Sequence, residues 1–266
     1  MPSPSGFLTE RDQSIKDLIA AKITTQTVKK VPQTDGLPLE GNHWLRIEHL
    51  TCVYADLVGS TKLQVTNQPQ TAAKVYQLFV ENLVRAFRYY GSDYIDVRGD
   101  GAFAIFSGKN SAIVGLCAAV TFKTLCGKKL KTAIHGFEIL PHIGIDQKGV
   151  LLKRVGQRGE WQNEVWAGKP VNMAAKLSAL ADSDQILVSD RVFQVLNSEE
   201  LRKWAVLSCG CKEGVPSMEY TSLWTEKDVS QYTYFDFEKA YFLKSNWCDS
   251  HGDEYCGRLL AEAAKD

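Results

Sequence analysis

The chain has 266 residues, with 31 basic and 31 acidic side chains and a formal net charge of zero. That balance gives no support to nonspecific nucleic-acid binding, which rests on a strongly basic surface, and a hydrophobic fraction of 44% is ordinary for a globular protein. No apolar run approaches the ~20 residues of a membrane helix, and the N-terminus M-P-S-P-S-G-F-L-T-E-R-D-Q lacks the basic start and apolar core of a signal peptide. A cytoplasmic protein that engages neither membrane nor nucleic acid is therefore expected, its seven cysteines reduced thiols and not a disulfide framework.

In chain order, residues 8–30 are expected to be helical, with Ile15, Leu18, Ile19 and Ile23 on one face. The turn-rich V-P-Q-T-D-G-L-P-L-E-G-N reads as a linker, so 1–42 is taken as an N-terminal helix and linker and a domain starts at 43. L-R-I-E-H-L-T-C-V-Y-A is strand-like. Val75, Leu78, Phe79, Leu83 and Phe87 recur at helical spacing over 69–90, and Gly91 stops that helix. Tyr94–Val97 and Ala102–Phe106, joined through Gly99-Asp100-Gly101, read as a β-hairpin. A helix over about 110–130 follows, then strand, turn and strand in I-L-P-H-I-G-I-D-Q-K-G-V-L-L-K-R-V. A helix over 170–181 carries Pro170 in its first turn. Q-I-L-V-S is a strand and D-R-V-F-Q-V-L opens another helix. The alternation gives an α+β architecture, with the domain at 43–225 and a helical appendage at 226–266.

Two stretches carry the chemistry. V-Y-A-D-L-V-G-S-T and Y-I-D-V-R-G-D-G-A-F-A-I-F each place a carboxylate, Asp56 and Asp100, where an apolar strand meets glycine. Two carboxylates at the ends of adjacent strands suit a hard divalent cation, and the small G-S-T after Asp56 lets backbone N–H groups close around phosphate. The bland reading of both acids is that they cap turns.

These motifs, followed in order by H-I-G-I-D, W-A-G-K-P-V-N-M-A-A-K-L and Q-I-L-V-S, make residues 48–225 resemble the catalytic domain of class III nucleotidyl cyclases. The resemblance implies a ferredoxin-like sandwich and a head-to-tail homodimer that converts a nucleoside triphosphate to a 3′,5′-cyclic nucleotide and pyrophosphate. It implies two Mn²⁺ or Mg²⁺ ions per site on Asp56, Asp100 and the Leu57 carbonyl. Gly59, Ser60 and Thr61 would hold phosphates, and Lys212 in C-G-C-K-E-G matches a late phosphate-binding lysine. Asn172 would orient the ribose from the partner subunit. Lys176 stands one helical turn on, where the family usually has a transition-state arginine, and a lysine cannot make arginine's bidentate grip.

At the base-reading positions the family's Lys/Asp (adenine) and Glu/Cys (guanine) pairs are replaced by Asp96 and Val165. Tyr54 and Trp166 would narrow the pocket, which favours a pyrimidine. Asp96 is alternatively a partner of Arg98, and the aromatics alternatively core. The chain is similar to the uridylate and cytidylate cyclases of bacterial Pycsar anti-phage systems, whose product activates a separate effector. Here UTP and CTP both remain open, with cUMP placed ahead of cCMP. The alternatives are an adenylate or guanylate cyclase with atypical base contacts, and a non-catalytic nucleotide-binding module. Cys209, Cys211, Cys248, His251 and Cys256 form a second group, either a structural zinc site or buried thiols and a surface histidine.

Overall fold

A computed structural model describes residues 3–39, 41–66, 68–156, 161–212 and 215–265. Helix α1 (Pro4–Ala20) is shorter than its apolar pattern suggested, and none of its residues is buried. The Thr24–Thr27 run, rich in β-branched residues, is instead strand β1, parallel to β2 (His43–Ile47). The polar Glu48-His49 pair breaks the strand-like stretch, so β2 and β3 (Leu50–Leu57) enter different sheets. Then come α2 (Ser60–Thr66) and α3 (Pro69–Tyr89), which buries Val75, Phe79, Leu83 and Phe87. The expected hairpin is β4 (Tyr94–Arg98) and β5 (Gly101–Ser107).

Helix α4 (Ser111–Leu125) continues through a wider turn to Leu130. Ser111–Leu130 is long and apolar enough, by length and composition, to cross a membrane, which corrects the expectation of no such run. Its apolarity runs round the helix because both sides are covered, by α3 and the sheet on one and the C-terminal helix on the other. Strands β6 (Pro141–Gln147), β7 (Val150–Gly156) and β8 (Gln162–Gly168), helix α5 (Pro170–Leu180), strand β9 (Gln185–Ser189) and helices α6 (Asp190–Leu196) and α7 (Arg202–Ala205) follow. A two-stranded ribbon, β10 (Gly210–Lys212) and β11 (Val215–Glu219), precedes the last three elements, β12 (Trp224–Asp228), β13 (Lys239–Leu243) and α8 (Gly252–Ala263). Residues 226–266 thus hold strand as well as helix, because the apolar, aromatic-rich K-A-Y-F-L run pairs with β9.

The main sheet has the order β12-β13-β9-β6-β3-β5-β4, and a smaller sheet the order β1-β2-β7-β8. The two-residue period divides β3 cleanly. Val53, Ala55 and Leu57 face α3 and α4, while Leu50 and Cys52 pack with the smaller sheet. Asp56 shares the second face.

Helix α5 lies on that second face of β6, and Gly144 is what lets it approach. A Cβ built there would sit 2.0 Å from the Ala174 carbonyl oxygen and 2.4 Å from the Ser178 nitrogen. Two polar networks brace the far end. Buried Lys123 donates to the Lys244 carbonyl at 2.6 Å and to Asn246 Oδ1 at 2.8 Å. Arg191 grips fully buried Asp146 with two 2.8 Å bonds and reaches Asp236.

Candidate functional site

Asp56 is the last inward-alternating residue of β3 on the α5 face, and Asp100 occupies the β4–β5 turn beside it. Gly99, at φ +63°, takes the first central position of that two-residue turn, which only glycine adopts cheaply. Gly101 comes next. A methyl group there would lie 2.6 Å from both the Ala55 carbonyl oxygen and Asp56 Oδ1, so the Asp56 carboxylate fills the space a side chain would take.

The site is short of donors. Asp100 Oδ2 is buried and has no hydrogen-bond partner among the described residues. Burial pushes the Asp56 carboxyl up from its ordinary range, the neighbouring charge of Asp100 adds to that, and the Leu57 N–H and His142 only partly oppose it. An orphaned acceptor and a second carboxylate disfavoured by a like charge are what a divalent cation would satisfy. Two hard oxygen donors suit Mg²⁺ or Mn²⁺. Gly59, at φ +70°, turns the chain after β3, and its carbonyl accepts from Leu63 at 3.0 Å, so Ser60 and Thr61 open α2 next to Asp56.

A row of aromatic rings continues the same face. Tyr54 stacks at 6.4 Å on Phe103, which lies 6.1 Å from Tyr94, which in turn lies 5.1 Å from Trp166. Tyr94 Oη donates to Glu164 Oε2 at 3.0 Å. Tyr54 and Trp166 are therefore the two ends of a row and not opposite walls. Asp96 pairs across the hairpin with Phe103 and is ion-paired at 2.5 Å with Arg98. Val165 is exposed and, on β8, points to the opposite side from Trp166.

Asn172 and Lys176 share the side of α5 turned away from the sheet, since Ala174, Leu177 and Ser178 face inward. Asn172 is exposed. Lys176 Nζ lies 4.7 Å from the centre of the Tyr234 ring and 3.5 Å from the Tyr234 carbonyl oxygen. Lys212 is exposed on the β10–β11 ribbon, one residue from Cys211. Sequence reading overlooked Phe103, Tyr94, Glu164 and Tyr234. Phe103 and Tyr94 were legible from strand alternation, because they share a face with Tyr54 and Asp56, whereas Tyr234 lies in an irregular loop with no period to follow.

Residues 44–214 match the family model of the adenylate and guanylate cyclase catalytic domain. The chain is 32% identical to a uridylate cyclase of Propioniciclava tarda over 84% of this chain and 72% of that protein. It is 30% identical to a uridylate cyclase of Micromonospora echinofusca over 96% and 83%. Among solved structures, the adenylyl cyclase CyaB from P. aeruginosa superposes with a TM-score of 0.60, covering 78% of this chain and 97% of that one at 16% identity, a likeness of fold.

Proposed function

Because the chain belongs to the family of adenylate and guanylate cyclase catalytic domains, we propose that it is a pyrimidine nucleotide cyclase, forming cUMP from UTP in preference to cCMP from CTP and releasing pyrophosphate. The observation that carries the reading is the carboxylate pair, with Asp100 Oδ2 buried and unpartnered among the described residues beside an Asp56 pushed up by burial and by the charge of Asp100. Asp56, Asp100 and the Leu57 carbonyl would hold two Mn²⁺ or Mg²⁺ ions. When bound, such ions lower the pKa of the ribose 3′-hydroxyl and neutralise charge growing on the phosphates.

The chain's own groups do the rest. The turn of Gly59, Ser60 and Thr61 presents N–H groups to the β- and γ-phosphates, and Lys212 is assigned to the same phosphates. Asn172 of one subunit orients the ribose bound to its partner, and Lys176 adds positive charge at the α-phosphate as the 3′-oxygen attacks in line. Both side chains leave α5 on its outward side, as a residue serving the neighbouring subunit must. This supports a homodimer with two interfacial sites. For the base we assign Tyr54, Asp96 and Trp166, which share the face of the aromatic row, while Val165, on the opposite side of β8 from Trp166, stays out of that pocket. Two uridylate cyclases among the relatives support a pyrimidine. We further read the product as a cytoplasmic signal of phage infection, sensed by a separate effector.

The test is an equimolar mixture of ATP, GTP, CTP and UTP with Mn²⁺, followed by mass identification of the cyclic product. Dominant cUMP is expected, and dominant cAMP or cGMP would overturn the pyrimidine assignment.

A further inference from the structure

The side chains of Cys209, Cys211, Cys248 and His251 come together although Cys211 and His251 stand 40 residues apart in the chain. Their ligand atoms all lie within 4.8 Å of one another, and all four residues are half-buried. Cys211 Sγ is 3.3 Å from His251 Nδ1, and Cys248 Sγ is 4.0 Å from it. The edges of a tetrahedron with zinc–sulfur and zinc–nitrogen bonds of ordinary length are roughly 3.5–3.8 Å. The cluster therefore already has nearly the size of a zinc coordination shell.

The backbone is shaped for it at both ends. Gly210 sits between the first two cysteines at φ +75°, which folds the C-x-C stretch back on itself. The second pair lies in a tight turn whose Gly252 N–H donates to the Cys248 carbonyl at 2.8 Å, with His251 capping α8. The backbone N–H groups of Ser250 and His251 hydrogen-bond to the Cys248 sulfur. Backbone N–H groups aimed at a sulfur are the supporting shell a metal-bound thiolate needs. Cys256 is not part of the group. Its sulfur lies 3.4 Å from Tyr90 Oη and is hydrogen-bonded with the Cys117 thiol. All seven cysteines are free thiols.

We propose that Cys209, Cys211, Cys248 and His251 bind one structural Zn²⁺ ion that fastens the β10–β11 ribbon to the start of α8. Three thiolates and an imidazole are soft donors that select zinc over Mg²⁺ or Mn²⁺. Four protein ligands close the shell, so the ion holds structure and performs no chemistry. The site is separate from the carboxylate pair. α8 packs on α4, and α4 covers the Val53–Ala55–Leu57 face of β3, the face opposite Asp56.

The test is zinc content by elemental mass spectrometry on full-length protein, purified from zinc-supplemented medium without chelator. One zinc per chain is expected for the wild type and for Cys256→Ser, and a loss of at least about tenfold for Cys248→Ser and His251→Ala. Because those two variants can misfold, wild-type protein stripped with a strong chelator is also titrated with Co²⁺. Tetrahedral d–d bands with a thiolate-to-cobalt charge-transfer band of three-sulfur intensity are expected. Wild type that holds no zinc after incubation with ZnCl₂, full zinc retained in both ligand variants, octahedral cobalt spectra, or a Cys211–Cys248 disulfide in the native protein would each overturn the proposal.

Discussion

Substituting Gly101 by alanine tests the carboxylate site without touching a carboxylate. The backbone at Gly101 is outside the left-handed region, so an alanine there meets only a problem of space. Its methyl carbon would start 2.6 Å from Asp56 Oδ1 and 2.6 Å from the Ala55 carbonyl oxygen. A carbon–oxygen contact is comfortable at about 3.3 Å, so both oxygens must retreat by roughly 0.7 Å. The Ala55 oxygen belongs to the β3–β5 ladder and resists, and most of the displacement falls on the Asp56 side chain. Overpacking of this kind costs about 1–3 kcal/mol of stability, which leaves the domain folded. Displacing a positioning group by nearly 1 Å costs on the order of 10–10²-fold in rate. Gly101→Ala should therefore keep a cooperative unfolding transition, lose 10–10²-fold in Mn²⁺-dependent cyclisation, and need more Mn²⁺ for half-maximal rate. The assay is initial-rate cyclic-nucleotide formation across a Mn²⁺ titration, alongside thermal melting. A folded variant with the wild-type Mn²⁺ response would refute the placement of the cation between Asp56 and Asp100.

Gly144→Ala forces the α5 backbone off β6, so it should destabilise by more than the ~1–3 kcal/mol of ordinary overpacking and suppress cyclisation even where urea melts show a residual folded population. Mixing Asp56→Ala with Lys176→Ala chains should restore roughly a quarter of wild-type turnover, because half the dimers are mixed and each holds one intact site. A mixture as dead as its folded, dimeric parents would rule out sites shared between subunits. With its pKa raised in the native state, Asp56 binds its proton more tightly folded than unfolded, so its contribution to stability falls as pH rises above about 4. Metal-free Asp56→Asn should accordingly melt higher than metal-free wild type at neutral pH, with the gap closing towards acid and the Mn²⁺-induced rise in Tm abolished. Arg191→Met leaves the Asp146 carboxylate buried without its partner and should cost about 3 kcal/mol at neutral pH, less at acid pH where Asp146 protonates; denaturant melts at two pH values check it.

Much of the fold was legible because its period is strong. The β3 alternation, the α3 stripe and the glycine-flanked turn at Asp100 follow from local residue order, and the ordered motifs together point to the cyclase family. What escaped was decided by contacts distant in sequence. The T-T-Q-T run becomes a strand only because β2 lies beside it. Val165 and Trp166 are neighbours in sequence yet face opposite ways once they lie on β8. Lys176 reads as a free cation, and nothing near it in sequence announces Tyr234, 58 residues later. Cys256 looked like a fifth member of the thiol group until α8 turned it towards Tyr90.

The hairpin of β12 and β13 has a consequence for anyone who trims this protein. It occupies the hydrogen-bonding side of β9, whose residues are all buried. A chain ended near residue 223, just past the family match, would leave Ile186, Leu187 and Val188 on an open ladder of unpaired amides and carbonyls, a template for self-association. Such a fragment would retain Asp56, Asp100, Asn172 and Lys176 and still be expected to precipitate, so its silence in an assay would report insolubility rather than chemistry.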